Sequence, residues 1–249
     1  MPAILITGCS SGFGLETARL FLDRGWDVVA TMRQPREEAL SASERLRVLS
    51  LDVSDPDSIA RTIADAGPID ALVNNAGFGA PVPVELTDPE TARALFETNT
   101  LGTLRMVQAV LPQFRERRAG VVINVTSSVT LKPLPLVGVY RASKAAVNAF
   151  TESLAVEVRP FGVRVHLVLP GRSPETRFGA NAFPHLRGRD NPDYAQLVEQ
   201  FVARVRDSSG PVTHASDVAE AIWRAVTDPS APFRIAAGAD AEAWMAEAG

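Results

Sequence analysis

Short apolar runs alternate with longer amphipathic stretches along the chain. The strand-like runs are AILIT (3–7), DVVATM (27–32), LRVLSL (46–51), IDALVNN (69–75), GVVINVT (120–126), VRVHLVL (163–169) and FRIAA (233–237). Near-continuous Val, Ile and Leu predicts strands buried on both faces, as in a parallel sheet. Between them the pattern predicts helices over about 13–24, 35–45, 55–66, 88–118, 138–159 and 215–228. One of these begins SDPDSIARTI, with Ser54 as the expected N-cap and acidic residues in the first turn. Strand and helix in alternation predict right-handed βαβ units. The expected α/β fold is a Rossmann-type, doubly wound, seven-stranded parallel sheet with helices on both faces.

Residues 172–212 break the alternation: they are polar and rich in Pro, Gly and Arg. A loop of that length is commonly a lid or binding segment. Its place after the sixth strand, at the carboxyl edge of the sheet, suits a substrate lid. With no linker or repeat elsewhere, 1–249 reads as one nucleotide-binding domain carrying that lid.

Composition narrows the partners. A formal charge of −4 and a pI near 5.5 argue against nucleic acid or an acidic membrane. The basic run Arg115–Arg118, interrupted by Glu116, reads as a solvated helix end. The single cysteine, Cys9, excludes an internal disulfide and reads as a small filler, and the three scattered histidines suggest no metal site. His166 lies in an apolar strand and reads as a core residue. Without a basic-then-apolar leader or an apolar run of roughly 20 residues, the expectation is a cytoplasmic protein.

TGCSSGFG, Thr7 to Gly14, joins the first strand to the first helix. Glycines there allow a tight turn and close approach to a pyrophosphate at the helix N-terminus. The spacing, Gly8-x-x-x-Gly12-x-Gly14, resembles the loop of the short-chain dehydrogenase/reductases, in their branch of about 250 residues. Further landmarks of that family follow in order: NNAG (74–77), Asn99 in ETNTLG, Ser127 in NVTSS, Tyr140 and Lys144 in YRASK, and Pro170-Gly171. The stretches GCSSGFG, ATMR and PFGVRV look most like the 17-beta-hydroxysteroid and retinol dehydrogenase-like members.

The chain has only two tyrosines and two lysines, yet Tyr140 and Lys144 stand four apart on one helical face. A phenol with its ordinary pKa of about 10 is a poor base at neutral pH. An ammonium about 4 Å away, at an effective dielectric of about 20, interacts by roughly 4 kcal/mol. That is enough to bring the phenol toward neutrality, helped by the charge of an oxidised nicotinamide. Tyr140 is thus the expected general acid/base. The Ser127 hydroxyl can stabilise charge on a substrate oxygen, with Ser128 as the alternative assignment.

The resemblance implies further roles. Lys144 would hold the nicotinamide ribose, Asn99 would support a proton-relay water, and Asp52 would lie near the adenine. Cofactor contacts are implied for Gly8, Ser10, Ser11, Gly12, Phe13, Gly14, Val53, Asn75, Ala76, Gly77, Pro170 and Gly171. The family's Thr stands five residues after the proline, where this chain has Glu175; Thr176 comes one later and serves if one residue is inserted. The second strand ends in Met32 and Arg33 rather than a ribose-binding acid. With its planar donor fork, Arg33 suits a 2′-phosphate, so NADP(H) is expected over NAD(H).

The implied activity is interconversion of a carbonyl and an alcohol, with the substrate left open among steroids, retinoids, aromatic ketones, sugars and acyl-carrier ketoesters. Arg172, Arg177, His185, Arg187 and Arg189 make the lid basic, which reads as solvated charge or a preference for acidic substrates. Tyr194 takes no role. Family members pair through the helices that here span 88–118 and 138–159, so a homodimer or homotetramer is expected. A catalytically silent NADP(H) sensor on the same fold is the rival reading.

Overall fold

The computed structural model describes residues 1–35, 40, 43–207 and 209–248. Seven parallel strands, β1 (Ala3–Thr7), β2 (Asp27–Met32), β3 (Leu46–Ser50), β4 (Ala71–Asn74), β5 (Gly120–Val125), β6 (Val163–Pro170) and β7 (Arg234–Ala237), form one sheet in the order β3-β2-β1-β4-β5-β6-β7. The chain winds outward from β1 through β2 to β3, then crosses back to β4 on the other side of β1. Carboxyl-end connections therefore diverge between β1 and β4, which opens the crevice where ligands bind in such sheets.

The inner strands are buried almost throughout, as their unbroken apolar runs require. Successive residues point to opposite faces. Ile4 and Ile6 enter one core with Phe21, Val28 and Ile222, and Leu5 enters the other with Val29, Leu72, Met106 and Phe114. Fully burying one such side chain stabilises by about 1.5–3 kcal/mol. Burial on both faces does not extend to the edges: β3 and β7 each keep exposed positions, Arg47 and Arg234 among them. Charge on an edge strand blocks further pairing.

Helices α1 (Gly12–Asp23), α2 (Pro56–Ala66), α3 (Pro89–Phe96), α4 (Gly102–Arg117), α5 (Gly138–Val158) and α8 (Ala215–Thr227) cover the faces. The helix expected over 35–45 falls largely outside the described residues, and the described positions 43–45 are not helical. α2 is capped one residue later than expected. Asp55, not Ser54, is the N-cap, its carboxylate accepting from Asp57 N–H at 2.9 Å, while Pro56 opens the helix.

The helix expected over 88–118 is interrupted by a π-turn at Glu97–Leu101. Asn99 sits in that turn, and its side chain reaches outside the helix. Such turns are frequent at functional sites.

The 172–212 segment contains two helices, α6 (Arg177–Ala182) and α7 (Ala195–Arg206), and the described chain ends in α9 (Ala239–Ala248). Apolar residues of α7, Val198 and Val202, pack on Leu136 in the loop before α5. Leu136 is a non-glycine residue at φ 64, held there as its carbonyl accepts from Val82 N–H at 2.7 Å. Cys9 and His166 are buried as expected, and burial pushes the thiol up to about 12. Among the described residues, no helix is long and apolar enough to cross a membrane.

Candidate active site

The carboxyl ends of β1, β4, β5 and β6 carry the glycine loop, the NNAG turn, Ser127 and Pro170-Gly171. Gly8 and Gly12 have positive φ, 77° and 60°. A Cβ on Gly14 would stand 2.5 Å from Gly8 O and 2.6 Å from Asn75 Nδ2, so only glycine fits. The Thr7 hydroxyl accepts from both Asn75 N–H and Ala76 N–H at 2.9 Å, and Asn75 Nδ2 donates to Thr7 O at 2.9 Å. These bonds clamp the NNAG turn to the glycine loop.

The first turn of α1 contains no acid, and its N-cap, Ser11, makes no side-chain cap bond. Its N-terminal amides thus meet no carboxylate of their own, and an exposed Ser10 precedes them. This backbone cradle, with the helix dipole behind it, fits a dinucleotide pyrophosphate. Glycine contributes here by leaving room for another chain atom to come close.

Several residues expected to line the cofactor have side chains engaged within the protein. Phe13 packs into the core. Val53 is buried against Gly102. The Asn75 amide is spent on the Thr7 and Gly8 carbonyls. Gly171 donates to Thr213 Oγ1 at 2.9 Å and lies so close to Asp240 that a Cβ would stand 2.2 Å from its carboxylate.

Arg33 is exposed beyond β2. Asp52, past β3, turns its carboxylate to Ser54, accepting from Ser54 N–H at 2.9 Å and Ser54 Oγ at 2.6 Å. These bonds hold Asp52 below its ordinary value, with a smaller contribution from Arg33. The rim at Arg33 therefore has a carboxylate within electrostatic reach, even though β2 itself ends without an acid.

The chemistry-bearing side chains converge on the first turns of α5. Ser127 lies close enough to Tyr140 for its hydroxyl to pull the phenol down, an influence Ser128 does not share. Ser127 Oγ also accepts from Val129 N–H at 3.3 Å. Lys144, only 5% exposed, donates from Nζ to Val125 O at 3.0 Å, and burial lowers it to about 8.

Asn99 is fully buried. Its amide donates to Phe78 O and Ser143 Oγ at 3.0 Å, and its Oδ1 accepts from Phe78 N–H at 3.0 Å. A Cβ on Gly77 would stand 2.8 Å from Asn99 Oδ1 and 3.3 Å from Lys144 Nζ, so that glycine lets the two side chains come together. The Asn99 side chain is thereby committed to the 78 turn and to α5.

The expectation was a phenol lowered by Lys144 together with the charge of an oxidised nicotinamide. The protein's own groups act the other way: burial pushes Tyr140 up to about 12, with Ser127 pulling it down. Removing the phenol from water disfavours phenolate, and Lys144 points a proton at a backbone carbonyl. Tyr140 is therefore held as a protonated acid by the protein's own groups.

Of Glu175 and Thr176, it is Thr176 that faces the glycine loop. The ideal Cβ of Gly12 lies 3.3 Å from Thr176 Cβ and 3.4 Å from Thr176 Cγ2. Glu175 turns away to α8, accepting from Ala215 N–H at 2.6 Å and pairing with His214 Nδ1 at 3.1 Å. Arg172 and Arg187 give guanidinium hydrogens to lid carbonyls, those of Val205, Asp207, Pro184 and Leu186. Tyr194 bonds to Glu85.

Sequence reasoning missed Phe178, whose ring centroid lies 5.7 Å from that of Tyr140 and which covers Gly79. It also missed Ser143 as the partner of Asn99. No periodicity marks Phe178, two residues past Thr176.

Residues 2–186 match the short chain dehydrogenase family. A 3-ketodihydrosphingosine reductase of Bacteroides thetaiotaomicron is 36% identical over 240 residues, spanning 94% of this chain and 87% of the relative. Retinol dehydrogenase 8 of Homo sapiens is 40% identical over 179 residues, spanning 68% of this chain and 58% of the relative. Among solved structures, a short-chain dehydrogenase from Streptomyces avermitilis superposes with a TM-score of 0.84 at 34% identity, covering 99% of this chain and 91% of its own. A serine dehydrogenase complexed with NADP+ reaches 0.82 at 29% identity, covering 95% and 94%. A neighbour from Burkholderia phymatum is in complex with NAD, with a TM-score of 0.80 at 26% identity, covering 94% and 88%. The chain belongs to the short-chain dehydrogenase/reductase family of oxidoreductases.

Proposed function

We propose that the protein reduces a ketone or aldehyde to an alcohol with NADPH, or runs the reverse with NADP+. The observation that carries this reading is the buried trio at the head of α5: Tyr140 beside Ser127, with Lys144 one turn on. When bound, a dihydronicotinamide supplies the hydride for the carbonyl carbon. Tyr140 gives its phenolic proton to the carbonyl oxygen, and Ser127 donates a hydrogen bond to the same oxygen as charge develops there. Lys144, still largely protonated at neutral pH, compensates the phenolate that this leaves and offers its remaining hydrogens to the ribose. Asn99 holds the 78 turn against α5 and so keeps Lys144 in register.

The cofactor rests on the glycine loop, the NNAG backbone and Thr176. Arg33 supports NADP(H) over NAD(H), because its guanidinium fork is exposed at the end of β2 and suits a 2′-phosphate. Within one domain, 172–212 serves as the lid. The substrate it admits is apolar: Tyr140 packs with Phe78, Leu86, Val129 and Val137, while the lid's Arg172 and Arg187 are engaged by carbonyls. The name of the Bacteroides relative, a reductase of a keto compound, agrees with this direction. Exposed Leu101 and Val156, before α4 and on α5, support pairing of copies through these helices as a dimer or tetramer.

The test is absorbance loss of NADPH on mixing the protein with a panel of ketones graded from polar to bulky and apolar. Turnover of the bulky apolar members is expected. Tight NADPH binding with no turnover of any ketone or aldehyde would instead favour the silent sensor.

A further inference from the structure

We infer that Glu175 is a positioning residue: it latches the root of the lid to α8 and thereby sets Thr176 over Gly12 at the mouth of the dinucleotide site. This rests on the reading that a nicotinamide dinucleotide lies along the glycine loop.

Thr176 faces Gly12 with its Cβ and methyl carbon, which lie 3.3 and 3.4 Å from where a Cβ on Gly12 would stand. Its hydroxyl is turned back to donate to Ser173 O at 3.0 Å. The contact across the glycine loop is therefore apolar and small, worth a fraction of a buried side chain. Among the described residues, no hydrogen bond of Thr176 ties it to the loop it covers, so something beside it must hold it there.

The adjacent carboxylate is placed to do so. Glu175 Oε1 accepts from Ala215 N–H at 2.6 Å and Oε2 faces His214 Nδ1 at 3.1 Å. Ala215 is the first residue of α8, where an orphan amide and the positive end of the helix dipole favour a carboxylate. These bonds hold Glu175 below its ordinary value.

α8 is itself fixed to α1, the helix that begins in the glycine loop. Trp223 packs its ring 5.0 Å from that of Phe21, and Arg24 pairs with Glu220. Glu175 therefore references the lid root to the same framework that carries the cradle. Further ties at this root, Arg172 N–H to Asp240 Oδ2 at 2.6 Å and Thr213 N–H to Arg172 O at 2.8 Å, fix position 172 and leave the approach of 176 to Gly12 unset.

Glu175 stands where the resemblance would place the family's Thr and acts as a bracket, while Thr176, one place along, faces Gly12.

The experiment measures dissociation constants for NADP and NAD in the wild type, Glu175→Ala and Glu175→Gln, by fluorescence titration, with melting curves on all three. Protease cleavage within 173–190 provides a readout independent of cofactor. Glu175→Ala is expected to bind the preferred dinucleotide about 5- to 10-fold more weakly, mainly through faster release, and to be cut faster. Glu175→Gln keeps an acceptor for Ala215 N–H and is expected to recover most of the affinity. Equal affinity and equal cleavage of Glu175→Ala and wild type would overturn the latch while leaving the functional reading intact. Equal losses in both variants, in step with lowered melting, would also overturn it, because a general loss of stability is not rescued by the amide. A wild type that binds neither dinucleotide would overturn the functional reading, and the latch's role with it.

Discussion

The glycine loop and the lid root meet at Gly12 and Thr176, but the two sides of that contact are built differently. The cradle is tied together by backbone and by short side chains: Cys9 N–H donates to Thr31 O at 2.9 Å, and Thr7 and Asn75 bind β1 to the turn after β4. The lid root is tied through its backbone at 172, where Arg172 O accepts from Thr213 N–H, and beyond that hangs from long side chains, with Arg172 reaching the carboxyl end of α7 and Glu175 the amino end of α8. Short tethers on strand ends leave almost no play. Long, half-exposed ones hold a position but release it at low cost, because each such bond contributes little net free energy. A rigid floor under an adjustable cover follows, so substitutions in the floor should be near all-or-none and those in the cover graded.

The sharpest break should come from Gly14→Val. Its Cβ has backbone at 2.5 Å, so the loop must shift. Dinucleotide affinity is expected to fall more than about 100-fold, read by titration. Near-normal binding would show that the floor is not rigid.

Next comes Lys144→Met, with turnover down by at least about 100-fold. Lys144 also leaves a signature in stability. Its ordinary value is 10.5 and burial holds it near about 8. Between those limits the unfolded chain binds the additional proton, so wild-type stability rises with pH across that window. In Lys144→Met that rise should flatten, as followed by chemical denaturation at stepped pH. The same group predicts that carbonyl reduction weakens as pH climbs through about 8 and the ammonium is lost.

In the cover, Phe178→Ala should raise KM for a bulky apolar ketone by about tenfold and leave kcat nearly unchanged, since it removes apolar contact rather than a proton-transfer group. The smallest effect belongs to the rim of the floor. Arg33→Ala should weaken NADP about fivefold and leave NAD unmoved. Equal effects on both cofactors would remove the case for NADP.

The same contrast governs what the sequence made legible. The inner strands were readable because burial on both faces demands unbroken apolar runs, and YRASK because i and i+4 share a face. The π-turn was not, since it depends on Asn99 reaching Phe78, distant in sequence. α7 carried a readable repeat, Leu197, Val198, Phe201 and Val202, but its polar surroundings made the whole segment look like loop. The Ser54 cap was missed by one because Asp55 competes for the same amides. Glu175 could be seen as out of place, yet its partner lies 40 residues on, beyond any local pattern. The raised Tyr140 was not legible either: spacing shows which charges are near, and burial decides how a phenol responds.

Proton donation by Tyr140 is tested most directly by Tyr140→Phe, which removes one oxygen and keeps the ring against Phe178 and Val137. With saturating NADPH and the best ketone of the panel, turnover is followed beside the NADPH dissociation constant. The expected result is binding within about threefold of wild type and turnover lower by at least about 100-fold. A Tyr140→Phe protein that binds NADPH and reduces the ketone as fast as wild type would contradict the assignment.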